Sequence, residues 1–119
     1  MSPEDFESQL REFSGSEQFY RHGLLRSVVY TDGVRFMAET AGAHWLIDAI
    51  ASHQLNPRVA AEEFQAWKLQ RNDDGTWTLR CEDGNDNEVC AQQIDWSDFP
   101  LASIELWFTN STLLLPSEY

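Results

Sequence analysis

His44 and Asp48 stand four residues apart in AHWLIDAIASHQ, a spacing that puts both on one face of a helix. A carboxylate at that distance can orient an imidazole as a general base. With Asp32, they would form the polar edge of a small-ligand or enzymatic site. No Ser or Cys nucleophile is placed beside them, so a plain helix-surface His–Asp contact is the simpler reading. His53 falls on an apolar stripe near a helix C-terminus, where it can bond free carbonyls or favour the helix dipole. His22 follows Arg21 in the aromatic-basic patch FYRH and reads equally well as a packed surface residue. The run Asp83-Gly84-Asn85-Asp86-Asn87-Glu88 is rich in oxygen ligands. It lacks the sixth-position glycine and twelfth-position glutamate of a calcium loop, and its residues suit a solvated hairpin turn better. No H-E-x-x-H, P-loop, G-x-S-x-G or paired zinc-ligand pattern occurs. Neither a metal nor a cofactor is expected, and no residue is assigned a catalytic role.

Charge is the other feature with chemical content. The chain has 8 Lys+Arg against 20 Asp+Glu, a net of −12. Residues 1–71 hold 10 acids and 7 bases; residues 72–119 hold 10 acids and only Arg80. Such a surface repels nucleic acid and anionic membranes and steers towards basic partners. The candidate partner-binding carboxylates are Asp73, Asp74, Glu82, Asp83, Asp86, Glu88, Asp95 and Asp98. Trp96 lies among them as a candidate aromatic anchor. The bland alternative is that the acidity serves solubility alone.

The elements that would position these groups follow from capping and periodicity. Thr31 or Asp32 caps a helix bearing Val34, Met37, Ala38 and Ala41, and Gly42 closes it. A second helix runs from Ala43, with Trp45, Leu46, Ala49, Ile50 and His53 on one face, and ends at Leu55-Asn56-Pro57. The rival reading is a hairpin of Val28–Tyr30 with Val34–Met37. Ser2-Pro3-Glu4-Asp5 starts an earlier helix that buries Phe6, Leu10 and Phe13. From Phe64 the period changes to two. Trp67 and Leu69, then Trp77, Leu79 and Cys81, mark strands on either side of Asn72-Asp73-Asp74-Gly75, with the two tryptophans as neighbours across that hairpin. Glu88–Ile94 is a third strand, and Ile104–Phe108 with Thr112–Leu115 a last hairpin. The expected fold is α+β: a helical N-terminal half packed on a C-terminal antiparallel sheet of four to five strands.

The register Asp83:Glu88 would put Cys81 opposite Cys90, close enough for a disulfide. A cytosolic setting argues for two free thiols. At 119 residues, 42% hydrophobic and 13% aromatic, one folded domain over residues 1–119 is the natural count. No stretch of about 18 apolar residues is present, and the acidic N-terminus lacks the apolar core of a signal peptide, so the cytoplasm is the expected location.

FYRH at 19–22, YTDGVRFMAETAGAHWLIDAIASHQ at 30–54, FQAWKL, DFPL at 98–101 and LLLPSEY at 113–119 resemble a family of uncharacterised small bacterial proteins. It is catalogued as a domain of unknown function and is similar to proteins of plasmids, integrative elements and phages. The resemblance spans nearly the whole chain and implies no catalytic residues. A mobile-element setting implies a non-enzymatic protein-binding inhibitor, an anti-CRISPR or anti-restriction DNA mimic whose carboxylates imitate phosphates in a Lys/Arg groove. The expected partner is a protein with a basic surface, with a homodimer as a further expectation if the second sheet face is apolar and exposed.

Overall fold

The computed structural model describes residues 1–119. Helix α1 spans Pro3–Glu12, with Ser2 Oγ accepting the amide of Asp5. Two short strands follow, β1 Phe19–Arg21 and β2 Val29–Thr31. Helices α2 Asp32–Ala41, α3 His44–His53 and α4 Pro57–Ala60 complete the N-terminal half. Strands β3 Phe64–Arg71, β4 Trp77–Glu82, β5 Glu88–Ile94, β6 Ser103–Thr109 and β7 Thr112–Leu114 fill the rest, with a final 3₁₀ turn at Pro116–Glu118.

The seven strands form one sheet in the order β1-β2-β7-β6-β3-β4-β5. This corrects the expectation of four to five strands, since the mainly helical N-terminal half contributes two of the seven. FYR and VYT are three residues each, too short to show alternation, and they gain their place by pairing at long range. Strand β2 pairs antiparallel with β1 and parallel with β7, Val29 opposite Thr112 and Tyr30 opposite Leu113. The rival hairpin is half right about the strand and wrong about its partner. Val29–Thr31 pairs with Phe19–Arg21, while Val34–Met37 is helical and buried on one side.

The helices cover one face of the sheet. Trp67 and Leu69 of β3, Trp77, Leu79 and Cys81 of β4, and Leu106 and Phe108 of β6 point into a core with Phe6, Val34, Met37, Leu46, Ile47 and Ile50. Both tryptophans are core residues, but they are not cross-strand neighbours: Trp67 faces Cys81 and Arg71 faces Trp77. The other face has no helix over it. It carries the ion pairs Lys68–Glu82 and Arg80–Glu88, beside an aromatic group of Phe64, Trp107 and Tyr119 whose rings meet edge-on at 5.2 and 5.4 Å.

The β6–β7 turn has a two-residue loop, Asn110-Ser111, with φ of 52° and 58°. Both central residues of such a tight hairpin must be left-handed, a conformation that suits Asn and penalises Ser. Ser111→Gly is therefore expected to raise stability by about 1 kcal/mol, read from the urea midpoint at unchanged slope. An unchanged or lowered midpoint would show that the Ser111 backbone carries no strain.

Candidate functional site

Seven of the nine candidate partner-binding residues are exposed and Glu82 and Asp83 are half-buried, and the β3–β4–β5 meander divides the nine between its two ends. The Asn72–Thr76 turn carries Asp73 and Asp74, and the pairing of Trp77 with Ile94 sets the chain after β5 beside it. Asp95, Trp96 and Asp98 thus share that end. Glu82, Asp83, Asp86 and Glu88 cluster round the β4–β5 turn at the other end. Residues 77–81 of β4 lie between the two groups, about 20 Å of extended chain from Thr76 to Glu82.

The two ends differ electrostatically. Glu82 bonds Lys68 Nζ at 2.7 Å, and Glu88 bonds Arg80 Nε at 2.7 Å. The hydrogen bond from Lys68 to Glu82 raises the ammonium pKa above its ordinary value, so a cation stands against this carboxylate. Asp83 is spent on its turn, accepting the amides of Asn85 and Asn87 and the Asn87 side chain. Those bonds, that of Asn85 first, hold its carboxyl below the usual range. At the opposite end Asp74 accepts the hydroxyl and amide of Thr76, which likewise lower its pKa and keep it anionic. Asp73, Asp95 and Asp98 are exposed and bond nothing within the chain, and Trp96 is 73% exposed. Asp86, at the β4–β5 turn, is also exposed without a partner.

The second candidate group is not one site. Asp48 does not bond His44; its Oδ1 meets Nε2 of His22 at 2.7 Å. His22 Nδ1 accepts the amides of Leu24 and Leu25 at 3.2 and 2.9 Å, so the network assigns the ring proton to Nε2 and the donated bond to Asp48. Both ring nitrogens are occupied, and His22 is buried instead of lying on the surface. A base needs a free nitrogen, which His22 lacks. It staples the β1–β2 loop to α3. His22, His44, Asp48, Tyr30 and Ser52 line a cleft of about 530 Å³, walled by Leu25 and Ile47. Asp32 lies outside it. His53 packs its ring on Trp67, as its place on the apolar stripe predicts, but Nε2 bonds the Gln92 side chain at 2.8 Å in place of a free carbonyl.

Asp32 accepts the Tyr20 hydroxyl at 3.0 Å and the amides of Glu17 and Gln18 at longer range. Desolvation alone would raise its pKa. The bonds from Tyr20, Gln18, Ser16 and Glu17 together outweigh it and leave the carboxyl below its ordinary value. A depressed folded pKa contributes stability above the unfolded pKa of about 3.9, and that stability is lost as pH falls through the folded value. Unfolding midpoints measured from pH 6 down should therefore fall less steeply for Asp32→Asn than for the parent chain; parallel curves would show that Asp32 carries no such linkage.

Residues 4–119 match the family model described as a family of unknown function, DUF6876. The chain belongs to this family. No curated protein and no solved structure matches it. In this DUF6876 chain, two of the stretches that carry the sequence resemblance meet in space. Glu118 of LLLPSEY accepts the Thr31 hydroxyl at 2.6 Å, the Gly33 amide at 3.2 Å and the Leu115 amide at 2.9 Å. Thr31 in turn caps α2 through the Val34 amide. TDG and PSEY are thus a structural clasp at the N-terminus of α2, where a carboxylate complements the helix dipole. Cys81 and Cys90 face each other in register, both as free thiols, and burial pushes the Cys81 pKa up to about 12. A thiol so reluctant to ionise is a poor nucleophile.

Three placements were invisible to sequence spacing: His22 with Asp48, Tyr20 with Asp32, and Glu118 with Thr31. They join positions 26, 12 and 87 residues apart, so no local pattern could signal them.

Proposed function

We propose that this chain is a non-enzymatic protein-binding protein that engages a basic surface through the acidic end of its β-meander. Asp73, Asp74, Asp95 and Asp98 supply the charge, and Trp96 the apolar anchor. The observation that carries the reading is Trp96, 73% exposed between carboxylates that have no cation of their own. Aromatic anchors supply contact energy at interfaces, and flanking charges supply approach rate and discrimination. An effector of restriction or CRISPR type, with a Lys/Arg groove built for phosphates, is the proposed partner class, and a mobile-element inhibitor the proposed role. The ion pairs of Glu82 and Glu88 make the opposite end the weaker candidate.

The test compares the parent chain with the fourfold variant Asp73→Lys, Asp74→Lys, Asp95→Lys, Asp98→Lys as immobilised bait in host lysate at low and high salt. All four positions are surface sites, so the fold should survive, which circular dichroism checks. Capture of a nucleic-acid-processing protein by the parent chain alone, weakening as salt rises, is the expected result. Equal capture by both baits would sink the proposal.

A second reading, small-ligand binding, rests on the cleft that unites His44 and Asp48. Its test is a ligand screen by thermal shift on the parent chain and His44→Ala. A hit that vanishes in the variant would support it.

A further inference from the structure

Strand β5 is one edge of the sheet, and its seven residues make it much longer than the three-residue β1 at the other edge. Beyond its ladder with β4, no backbone N–H or C=O of residues 88–94 bonds to anything in the chain. Ala91, Gln92 and Gln93 are exposed along it. An edge row of free donors and acceptors is a template for another strand, and proteins usually blunt it with Lys, Pro, brevity or a bulge. EVCAQQI has neither Lys nor Pro, and its one irregularity is the register shift at the Glu88 end.

What guards this edge is an excess of negative charge at its ends. Asp86 precedes the strand, Glu88 begins it paired with Arg80, and Asp95 and Asp98 follow it. Two copies pairing antiparallel through β5 would bring Asp86 and Glu88 of each to the Asp95 and Asp98 end of the other; Arg80 offsets Glu88, and Asp86 with Asp95 and Asp98 still leaves like charges together at both ends. An extended segment with cations at its ends meets the same edge with attraction at both. We propose that β5 is a strand-addition site for an extended, basic-ended segment of a partner protein. The inference rests on the acidic-docking reading above and deepens it by naming how the partner is held. Main-chain bonds along β5 would supply affinity, the flanking carboxylates direction, and Trp96 a contact just past the strand.

The probe is a blocked synthetic peptide with a central run of alternating Thr and Val matching the length of β5 and two lysines at each end. Controls carry glutamates in place of the lysines, or backbone N-methyl groups at alternate central residues in either register. Binding to the full chain is followed by fluorescence anisotropy, and backbone amides by hydrogen exchange. The lysine peptide is expected to bind and to slow exchange within residues 88–94. N-methylation in one register should weaken it about tenfold or more through the lost main-chain bonds, and the glutamate peptide should not bind. Equal binding of both N-methylated peptides without protection of β5 would overturn strand addition, as would failure of the lysine peptide to bind. Self-association through β5 in sedimentation, abolished by Gln92→Pro, would also overturn it by making a second copy the occupant. These failures are separable from failure of the docking reading. A lysate partner lost on fourfold reversal, with no peptide protection of β5, refutes the strand mode alone.

Discussion

Gln65→Leu is expected to lower the unfolding free energy by about 2–3 kcal/mol, the largest loss expected from one near-isosteric change in this chain. Gln65 is 1% exposed on the helix-facing side of β3. Its Oε1 accepts the Trp67 indole at 2.9 Å and the Gln54 amide at 2.7 Å. Its Nε2 donates to Gln54 Oε1 and to the Val59 carbonyl, both at 2.9 Å. One side chain thus serves α3, α4 and the sheet at once. Leucine keeps the volume but leaves the Trp67 N–H without a partner in a buried place, which costs about 1–3 kcal/mol, while the Val59 carbonyl loses one of two bonds and keeps the Glu62 amide at 3.0 Å. The Gln54 side chain is half-exposed and can turn to water, so it adds little. Thermal melts should show a drop of about 6–12 °C. Gln70→Leu, at an exposed position of the same strand, is the control and should move the melt by little. A loss below about 1 kcal/mol for Gln65→Leu would mean that the network is replaceable by water.

Removing Glu118 should have the next largest effect. Glu118→Ala deprives the Thr31 hydroxyl and the Gly33 and Leu115 amides of their acceptor and takes a carboxylate from the start of α2. The site is half-exposed, so water recovers part of the loss, and about 2 kcal/mol is expected. Gly33 gives this prediction a sharper form. A Cβ at position 33 would lie 2.6 Å from Glu118 Oε1 and 2.6 Å from Leu115 Cδ1, so Gly33→Ala must push the clasp open. With Glu118 already truncated, half of that obstruction is gone, and alanine regains about 1 kcal/mol of helix propensity over glycine. The double variant should therefore be more stable than the sum of the single losses by about 1 kcal/mol or more. Strict additivity in urea titrations would show that the two positions do not share one clasp.

The helices were readable because their signals are local. Thr31 one residue before α2, Gly42 at its end with φ of 63°, and Pro57 after Asn56 act within a turn or two of chain, whatever surrounds them. The same holds for the β3–β4 hairpin and its Asn72–Gly75 turn. In the β4–β5 hairpin Cys81 does face Cys90, but Glu88 pairs with Glu82 instead of Asp83, because a bulge after Cys81 shifts the register by one residue. The net charge and its crowding after residue 71 are likewise properties of the chain itself.

Other features were decided only when distant segments met. FYR and VYT are strands because β7 offers VYT a parallel neighbour more than 80 residues away, and FYR then pairs with VYT. Asp48 was drawn to His22 and away from His44 because the β1–β2 loop folds onto α3 and presents a ring already oriented by two backbone amides. The acidic run was one stretch in sequence, yet the meander sent its members to opposite ends, paired Glu82 and Glu88 with cations, and left Asp73, Asp95, Asp98 and Trp96 free at the other. Periodicity and capping report what a segment does alone; which segment it meets depends on burial and hydrogen-bond satisfaction summed over the whole molecule.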